Sequence, residues 1–136
     1  MANSEEVRWK QRLGNFKKAM GQLERACGRR KYDELELAGL VQIFEFSFEL
    51  AWKTLQDLLH DDGFSAKSPR ETIRQAFEAD YLTEDETEIM LEALEKRNVL
   101  SHTYQETIAQ EAETLIKDRY FPVLREALKR LEEKAA

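Results

Sequence analysis

The chain has 136 residues, of which 42% are hydrophobic and 35% are charged, and its formal net charge at pH 7 is -6. This length fits one domain, residues 1–136, around one hydrophobic core, and the composition excludes an intrinsically disordered chain. The negative net charge excludes a broad surface for coating nucleic acid, because non-specific affinity depends on cations that neutralise phosphates.

The first predicted helix runs from about Ser4 to about Arg29, and Gly28 with the basic residues after it ends the helix. Its apolar positions are Val7, Leu13, Phe16, Met20 and Leu23, with Trp9 near its start. The same helical period runs through most of the chain, and no segment alternates apolar and polar residues for long enough to predict a strand. We therefore expect an all-α fold, an antiparallel up-and-down bundle of four or five helices.

The second predicted helix, from about Asp33 to Leu59, is the most apolar in the chain. One apolar stripe contains Leu37, Leu40, Val41, Phe44, Phe48, Ala51, Leu55 and Leu58, and a second stripe on another side contains Ile43, Phe46 and Leu50. A helix that is apolar on two sides has to be buried on two sides. We therefore expect one side to pack within its own subunit and the other against a second copy, as a symmetric homodimer.

Two capping signals predict the next helix starts. Ser68-Pro69-Arg70-Glu71 combines an N-cap serine, a proline in the first turn and a capping-box glutamate, which predicts a short third helix. Its inward-facing residues are expected to be Ile73, Ala76 and Phe77. Thr83-Glu84-Asp85-Glu86 has the same capping-box spacing and predicts a fourth helix, which is expected to end at Arg97 and Asn98.

The capping-box spacing occurs a third time in Thr103-Tyr104-Gln105-Glu106. We therefore expect the chain to turn between Leu100 and His102 and to begin its last helix near Thr103. His102 would then lie before a helix N-terminus, whose field attracts anions and keeps the imidazole neutral. If one helix instead continues through the segment, the polar groups divide between two neighbouring faces, one with Asn98 and His102 and one with Arg97, Ser101 and Tyr104.

The last predicted helix is interrupted by a proline. Because Pro122 has no N–H to donate to the carbonyl of Asp118, we expect a kink at this point. The apolar positions of this helix are Ile108, Ala112, Leu115, Val123, Leu124, Leu128 and Leu131.

The segment from Arg97 to Tyr104 places a guanidinium, an amide, an imidazole and a phenol in a short polar stretch. Histidine is the side chain that titrates nearest to neutral pH, which suits His102 to acid–base chemistry, and the planar fork of Arg97 matches phosphate oxygens. An arginine and a histidine near a helix end also cap carbonyls or pair with carboxylates. The spacing alone therefore leaves a purely structural role open.

Arg97, His102 and Tyr104 form the pattern Arg-x4-His-x-Tyr, which resembles the signature of the HEPN superfamily, small helical proteins that include HepT-like RNA-cleaving toxins. Two further blocks, from Leu40 to Leu55 and from Ser68 to Glu71, are similar to the nucleotidyltransferase substrate-binding protein family. Its members are encoded beside minimal nucleotidyltransferases. Because the blocks occur in the same order, the resemblance covers most of the chain.

This resemblance implies a metal-independent endoribonuclease whose composite site lies at the interface of a homodimer. Arg97 and His102 are then the catalytic residues, while Asn98, Ser101 and Tyr104 support catalysis or bind RNA. The implied partner is a minimal nucleotidyltransferase that acts as antitoxin and inhibits the toxin by adding AMP to Tyr104. The added bulk and negative charge would block a phosphate site.

Glu45 and Glu49 lie on a polar stripe between the two apolar stripes of the second helix, and two interpretations are open for them. In the first, Glu49 forms an exposed pair with Lys53 one turn later. In the second, one of the two carboxylates supports the site by orienting Arg97 or His102.

Two other functions are compatible with the sequence. One is a non-catalytic subunit that docks on a separate nucleotidyltransferase and presents a substrate to it. The other is a helical dimer in which the polar residues of the segment satisfy buried groups. The chain has no glycine loop for a nucleotide and no metal-ligand spacing, so we predict no cofactor and no metal.

Cellular location is predicted from three features. The N-terminus lacks a secretion signal, and no apolar run approaches the ~18 residues of a membrane span, so we expect no membrane partner. Cys27 is the only cysteine, which excludes an intrachain disulfide and fits a reducing compartment. We therefore expect a cytoplasmic protein.

Overall fold

A computed structural model describes residues 3–102 and 106–136. The helices in these ranges are α1 (Ser4–Cys27), α2 (Glu34–Asp61), α3 (Pro69–Glu78), α4 (Glu84–His102), α5 (Glu106–Leu115) and α6 (Phe121–Ala135), with a π-helical turn (Ile116–Tyr120) that joins α5 to α6. The predicted all-α bundle is confirmed, and the described ranges contain no strand. No helix in them is long and apolar enough to cross a membrane.

Side-chain caps fix where the helices begin. The Ser68 hydroxyl accepts a hydrogen bond from the backbone N–H of Glu71 at 3.1 Å, which confirms the predicted start of α3. The box predicted there is only half formed, because the Glu71 carboxylate accepts from Gln75 at 3.2 Å and not from the Ser68 N–H. Thr83 and Glu86 bond each other reciprocally before α4, at 2.9 and 3.2 Å, so the capping box predicted there is confirmed. Asp33 and Glu36 form a further box at the start of α2. Each box satisfies N–H groups that have no partner inside the helix.

The core is built around α2, which packs against all the other helices. Phe44 and Phe48 are fully buried, and the Phe44 ring stacks on Tyr120 with the ring centroids 5.5 Å apart. The second apolar stripe of α2 behaves differently, since Ile43 and Leu50 are half-buried and Phe46 is 57% exposed. One apolar side of α2 therefore faces the subunit core, while the other stays accessible on the surface of the chain.

Helix α4 does not end where the sequence predicts. It continues through Leu100 and Ser101 to His102, so the predicted turn between Leu100 and His102 is wrong. No glycine or proline stands between Arg97 and His102 to stop the helix, and Leu100 packs against the core from its half-buried position. The predicted cap at Thr103 lies outside the described residues.

Two apolar residues of the predicted helices lie at the surface, and one of them, Phe77, was expected to face inward. Phe77 is 43% exposed although its neighbours Ile73 and Ala76 are fully buried, and Val7 is 42% exposed. Each residue of an α-helix turns about 100° from the one before, so Phe77 lies past the edge of the buried face centred on Ala76. The prediction that Phe77 faces inward is therefore wrong.

The interruption before Pro122 is a π-helical turn. The N–H of Phe121 bonds the carbonyl of Ile116, five residues earlier, instead of the carbonyl four residues earlier that an α-helix would use. This wider turn spans the Asp118 carbonyl that Pro122 leaves without an α-helical donor. The helix therefore runs on from α5 into α6 without a break.

Candidate functional site

The contact between α2 and α4 brings Arg97 to Glu49. A guanidinium nitrogen of Arg97, Nη1, donates to the Glu49 carboxylate, and the other terminal nitrogen, Nη2, donates to Asn98 Oδ1 at 3.1 Å. The Arg97 side chain is 21% exposed, so this pair is shielded from solvent more than an ordinary surface ion pair. Its position is set by the two helices rather than by a flexible loop.

Phe48 lies beneath the Arg97 guanidinium. The central guanidinium carbon is 6.0 Å from the centroid of the Phe48 ring, within the range of a cation–π contact. The third nitrogen of the fork, Nε, is buried and has no hydrogen-bond acceptor among the groups that the structure describes. A buried donor without an acceptor is unusual in a folded protein and calls for an explanation.

Glu49 is held by three donors. Besides Arg97, the indole N–H of Trp52 donates to Glu49 Oε2 at 3.0 Å, and the Lys53 ammonium lies 3.2 Å from Oε1. Burial alone would raise the pKa of Glu49, but the bonds from Trp52 and Lys53 and the charge of Arg97 outweigh it and lower this pKa overall. Glu49 therefore remains ionised and keeps Arg97 in place.

Glu45, one turn earlier on α2, has a different environment. The Ser101 hydroxyl donates to Glu45 Oε2 at a long 3.4 Å, and no ion pair joins Glu45 to another described residue. Burial raises the pKa of Glu45, and the Ser101 bond and the Arg97 charge offset this rise only in part. Two carboxylates one turn apart thus have pKa values shifted in opposite directions.

The predicted site residues are distributed as follows. Arg97 contacts Glu49 and Asn98, and Ser101 contacts Glu45, so these five side chains form one cluster at the α2–α4 contact. His102 is the last residue of α4, and Tyr104 lies outside the described residues. On a regular helix, five residues correspond to a rotation of about 140°, so position 102 does not share a face with position 97.

Three further side chains contact this cluster, and none of them was assigned to the site from the sequence. Phe48, which was assigned to the core, contacts Arg97, while Trp52 and Lys53 contact Glu49. Trp52 and Lys53 follow Glu49 by three and four residues, which places them beside it on a helix. This spacing was the available signal, and the predicted Glu49–Lys53 pair is confirmed.

Replacing each carboxylate with its amide is expected to change stability in opposite directions. At pH 7, Glu45→Gln should raise the free energy of unfolding, because it removes a charge that burial disfavours, and Glu49→Gln should lower it. Each change should be a fraction of 1 kcal/mol, roughly, since solvent screens both partly exposed groups. The measurement is urea unfolding of both variants and the unmodified chain.

The pH dependence of the free energy of unfolding tests the direction of the effect in each of these two variants. Glu49 has a lowered folded pKa, so its contribution is present above the unfolded pKa of about 4.3 and is lost as pH falls through the folded pKa. Glu45 has a raised folded pKa, so its cost appears as pH rises from about 4.3 through the folded value. Both differences from the unmodified chain should therefore shrink in acid. A Glu45→Gln variant less stable than the unmodified chain at pH 7 would contradict this account.

The described residues include no group of three histidine, cysteine, aspartate or glutamate side chains arranged to hold a metal ion. The cluster has instead a guanidinium, two carboxylates, an amide and a hydroxyl. Such groups bind anions and position hydrogen-bonding partners.

Comparisons with known proteins identify the family. A family model described as "Nucleotidyltransferase substrate binding protein like" matches residues 11–133. A crystal structure of a protein from Thermus thermophilus superposes with a TM-score of 0.80 and 30% sequence identity, covering 85% of this chain and 98% of that one. A search of curated proteins gives no significant match. Since the family model spans nearly the whole length, the chain belongs to the nucleotidyltransferase substrate-binding protein family, as its sequence motifs predict.

Proposed function

We propose that this protein is a HEPN-type, metal-independent endoribonuclease in which Arg97 and His102 are catalytic. The observation that supports the proposal is the hydrogen bonding of the Arg97 guanidinium. Glu49 and Asn98 hold its two terminal nitrogens, while its buried Nε has no acceptor among the described residues. Nε is closed to solvent, but the Arg97 side chain as a whole is 21% exposed, so part of the cation stays open to a phosphate oxygen, which matches its charge and planar geometry.

The reaction assigns a role to each catalytic group. A base, His102 in one copy, takes the proton of a ribose 2′-hydroxyl, and the 2′ oxygen attacks the adjacent phosphorus. The bond from phosphorus to the 5′ oxygen breaks, an acid returns a proton to that oxygen, and a 2′,3′-cyclic phosphate and a 5′-hydroxyl result. Arg97 stabilises the negative charge that develops on the phosphoryl oxygens.

A second copy supplies the missing acid in this proposal. Because positions 97 and 102 lie about 140° apart around α4, a composite site with Arg97 from one subunit and His102 from both is easier to assemble than a site within one chain. The accessible stripe of α2 supports the same arrangement. Its Phe46 is 57% exposed, and Val99 on α4, next to Asn98, is 48% exposed. These apolar side chains are available for the interface of a homodimer.

The proposed partner is a minimal nucleotidyltransferase, which the family description supports. We assign to it the role of an antitoxin that transfers AMP to Tyr104, the position that matches the tyrosine of the motif. The AMP would add a phosphate and a bulky base seven residues after Arg97. Its negative charge would repel a substrate phosphate. A mass increase of the tryptic peptide with Tyr104, after incubation with ATP and such a partner, tests this role.

A second function is favoured by one observation. Glu49 already neutralises Arg97, and Glu45 adds a second carboxylate to the same cluster, so a phosphate has to compete with negative charge. A non-catalytic subunit that presents a substrate to the nucleotidyltransferase does not need Arg97 to bind a phosphate, so these carboxylates would not hinder its function. In that case, binding of the partner should survive the loss of His102.

The test is cleavage of single-stranded RNA in EDTA by the unmodified chain and by His102→Ala. We expect cleavage by the first and a loss of at least about 100-fold in the second, as for removal of a catalytic acid–base group. His60→Ala is the matched control. His60 is the only other histidine, lies on α2, bonds the carbonyl of Ala66 at 2.9 Å and should be dispensable for cleavage. No cleavage by folded protein that mass spectrometry shows to be unmodified would reject the ribonuclease in favour of the binding subunit.

A further inference from the structure

A groove follows the seam between α1 and α6. Two adjacent cavities, of about 330 and 220 Å³, lie along it and share Lys17 as a lining residue. Between them they are floored by apolar side chains: Leu13 and Met20 from α1, with Phe121 and Leu128 from α6. The groove is thus open to solvent above a largely apolar floor.

Glycines form a row along the α1 side of this groove. Gly14 lines one cavity and Gly21 the other, and Val7 and Gly28 continue the same seven-residue spacing at either end. Seven residues are almost two turns of an α-helix, so Val7, Gly14 and Gly21 lie along one face of α1, and Gly28 follows them as its C-cap. At Gly14 and Gly21 no side chain of α1 keeps a neighbouring backbone away from the helix.

The fold of the single chain does not require glycine at positions 14 and 21. A Cβ built on Gly14 has nothing within 4 Å, and a Cβ on Gly21 meets only the end of the Arg25 side chain at 3.8 Å. Glycine is one of the least favourable residues in the middle of a helix. Contacts within the described chain therefore leave this choice of residue unexplained, whereas a second helix seated on the row would explain it.

The rim of the groove is positively charged. Exposed cations at Lys10, Lys17 and Arg125 line it and Lys18 and Arg25 lie beside it on α1, against three carboxylates, Glu6, Glu24 and Glu132. Glu132 pairs with Lys17 at 3.2 Å, and Lys10 also pairs with Glu6 at 3.0 Å. In a chain with a net charge of -6, this surface has the opposite sign to the whole protein.

We propose that the α1–α6 groove docks an acidic amphipathic α-helix of a partner protein along the glycine row. The heptad spacing suits a helix that packs at a small crossing angle, and the missing side chains admit its apolar face. The basic rim selects acidic flanks on that helix. A second copy of the chain fits less well, because a symmetric pair would place the same cations against each other. The apolar floor favours a helix over nucleic acid.

The probe is a stapled helical peptide of about 21 residues, with alanine and leucine at heptad positions and glutamates on the flanks. A second peptide with lysine in place of every glutamate tests the charge. Binding is measured by fluorescence anisotropy with the full chain and with Gly14→Leu and Gly21→Leu, which fill the groove. Gly39→Leu is the matched control, because a Cβ at this helical glycine of α2 also meets nothing within 4 Å.

We expect the acidic peptide to bind at least about 10-fold more tightly than the lysine peptide, and each groove variant to weaken it by about 10-fold or more. All three leucine variants should melt at or above the temperature of the unmodified chain, since leucine favours a helix over glycine. Equal binding by the groove variants, or no binding of the acidic peptide, would overturn the proposal. So would a change in oligomeric state on filling the groove, which would assign it to a second copy, or displacement of the acidic peptide by single-stranded RNA.

Discussion

Replacing Arg97 with alanine is expected to reduce the rate of RNA cleavage by about 100- to 1,000-fold, the usual loss when one preorganised donor to a developing oxyanion is removed. Arg97→Lys should recover only part of this loss, because lysine keeps the charge but not the planar fork. Glu49 stays bonded to Trp52 and Lys53 in either variant, so its charge is not left without a partner. We expect the free energy of unfolding to change by no more than about 1 kcal/mol.

The measurement is the single-turnover cleavage rate of a fluorogenic RNA in EDTA, with thermal unfolding of each variant. Arg70→Ala is the control for a lost arginine charge, because Arg70 is exposed on α3 and its contact with Glu95 is long, at 3.5 Å. It should cleave like the unmodified chain. If Arg97→Ala and Arg70→Ala are equally active, Arg97 has a structural role and the assignment of catalysis to it is wrong.

The helices and most of their starts were predictable because their signals are local. A capping box needs four consecutive residues, and an amphipathic face needs only a few turns. Thr83 and Glu86 therefore identify the start of α4 without knowledge of any other helix. Core membership was predictable at the centre of a face, as for Ile73, but not at its edge, where Phe77 is left exposed by the geometry of packing.

The end of α4 was not predictable in the same way. Asparagine, serine and histidine are only weakly unfavourable in a helix, by less than about 1 kcal/mol each, so they do not end one by themselves. The half-buried Leu100 gains contacts with the core when the helix continues, and this tertiary contribution is not visible in the local sequence. The local sequence of the polar segment thus predicts a turn, but the segment is helical as far as His102.

The Arg97–Glu49 contact illustrates the same limit in the candidate site. The two residues are 48 positions apart, and the sequence offered Glu45 and Glu49 as equal partners for the motif. The choice depends on how α2 and α4 are rotated against each other, and packing of the buried side chains sets that rotation. Only the structure separates Glu49, which pairs with Arg97, from Glu45, which accepts from Ser101.

Phe48→Ala is the second large effect that we expect, a loss of about 3–5 kcal/mol in the free energy of unfolding. Phe48 is fully buried on α2, and its ring centroid is 6.0 Å from that of Phe44. Truncation would remove these contacts and leave a cavity beneath Arg97 that the surrounding helices cannot fill completely. Phe77→Ala is the matched control, since this phenylalanine is 43% exposed and its loss should change the unfolding free energy far less.

The same position also connects packing to the proposed chemistry. Because the guanidinium of Arg97 rests on the Phe48 ring, a milder variant, Phe48→Leu, should stay folded but hold Arg97 less firmly. We expect its RNA cleavage rate to fall by about 10-fold, with a smaller loss of stability than in Phe48→Ala, since small displacements of a positioned group are costly in catalysis. Measured at a temperature where both proteins are fully folded, an unchanged rate in Phe48→Leu would show that the ring stabilises the bundle without positioning Arg97.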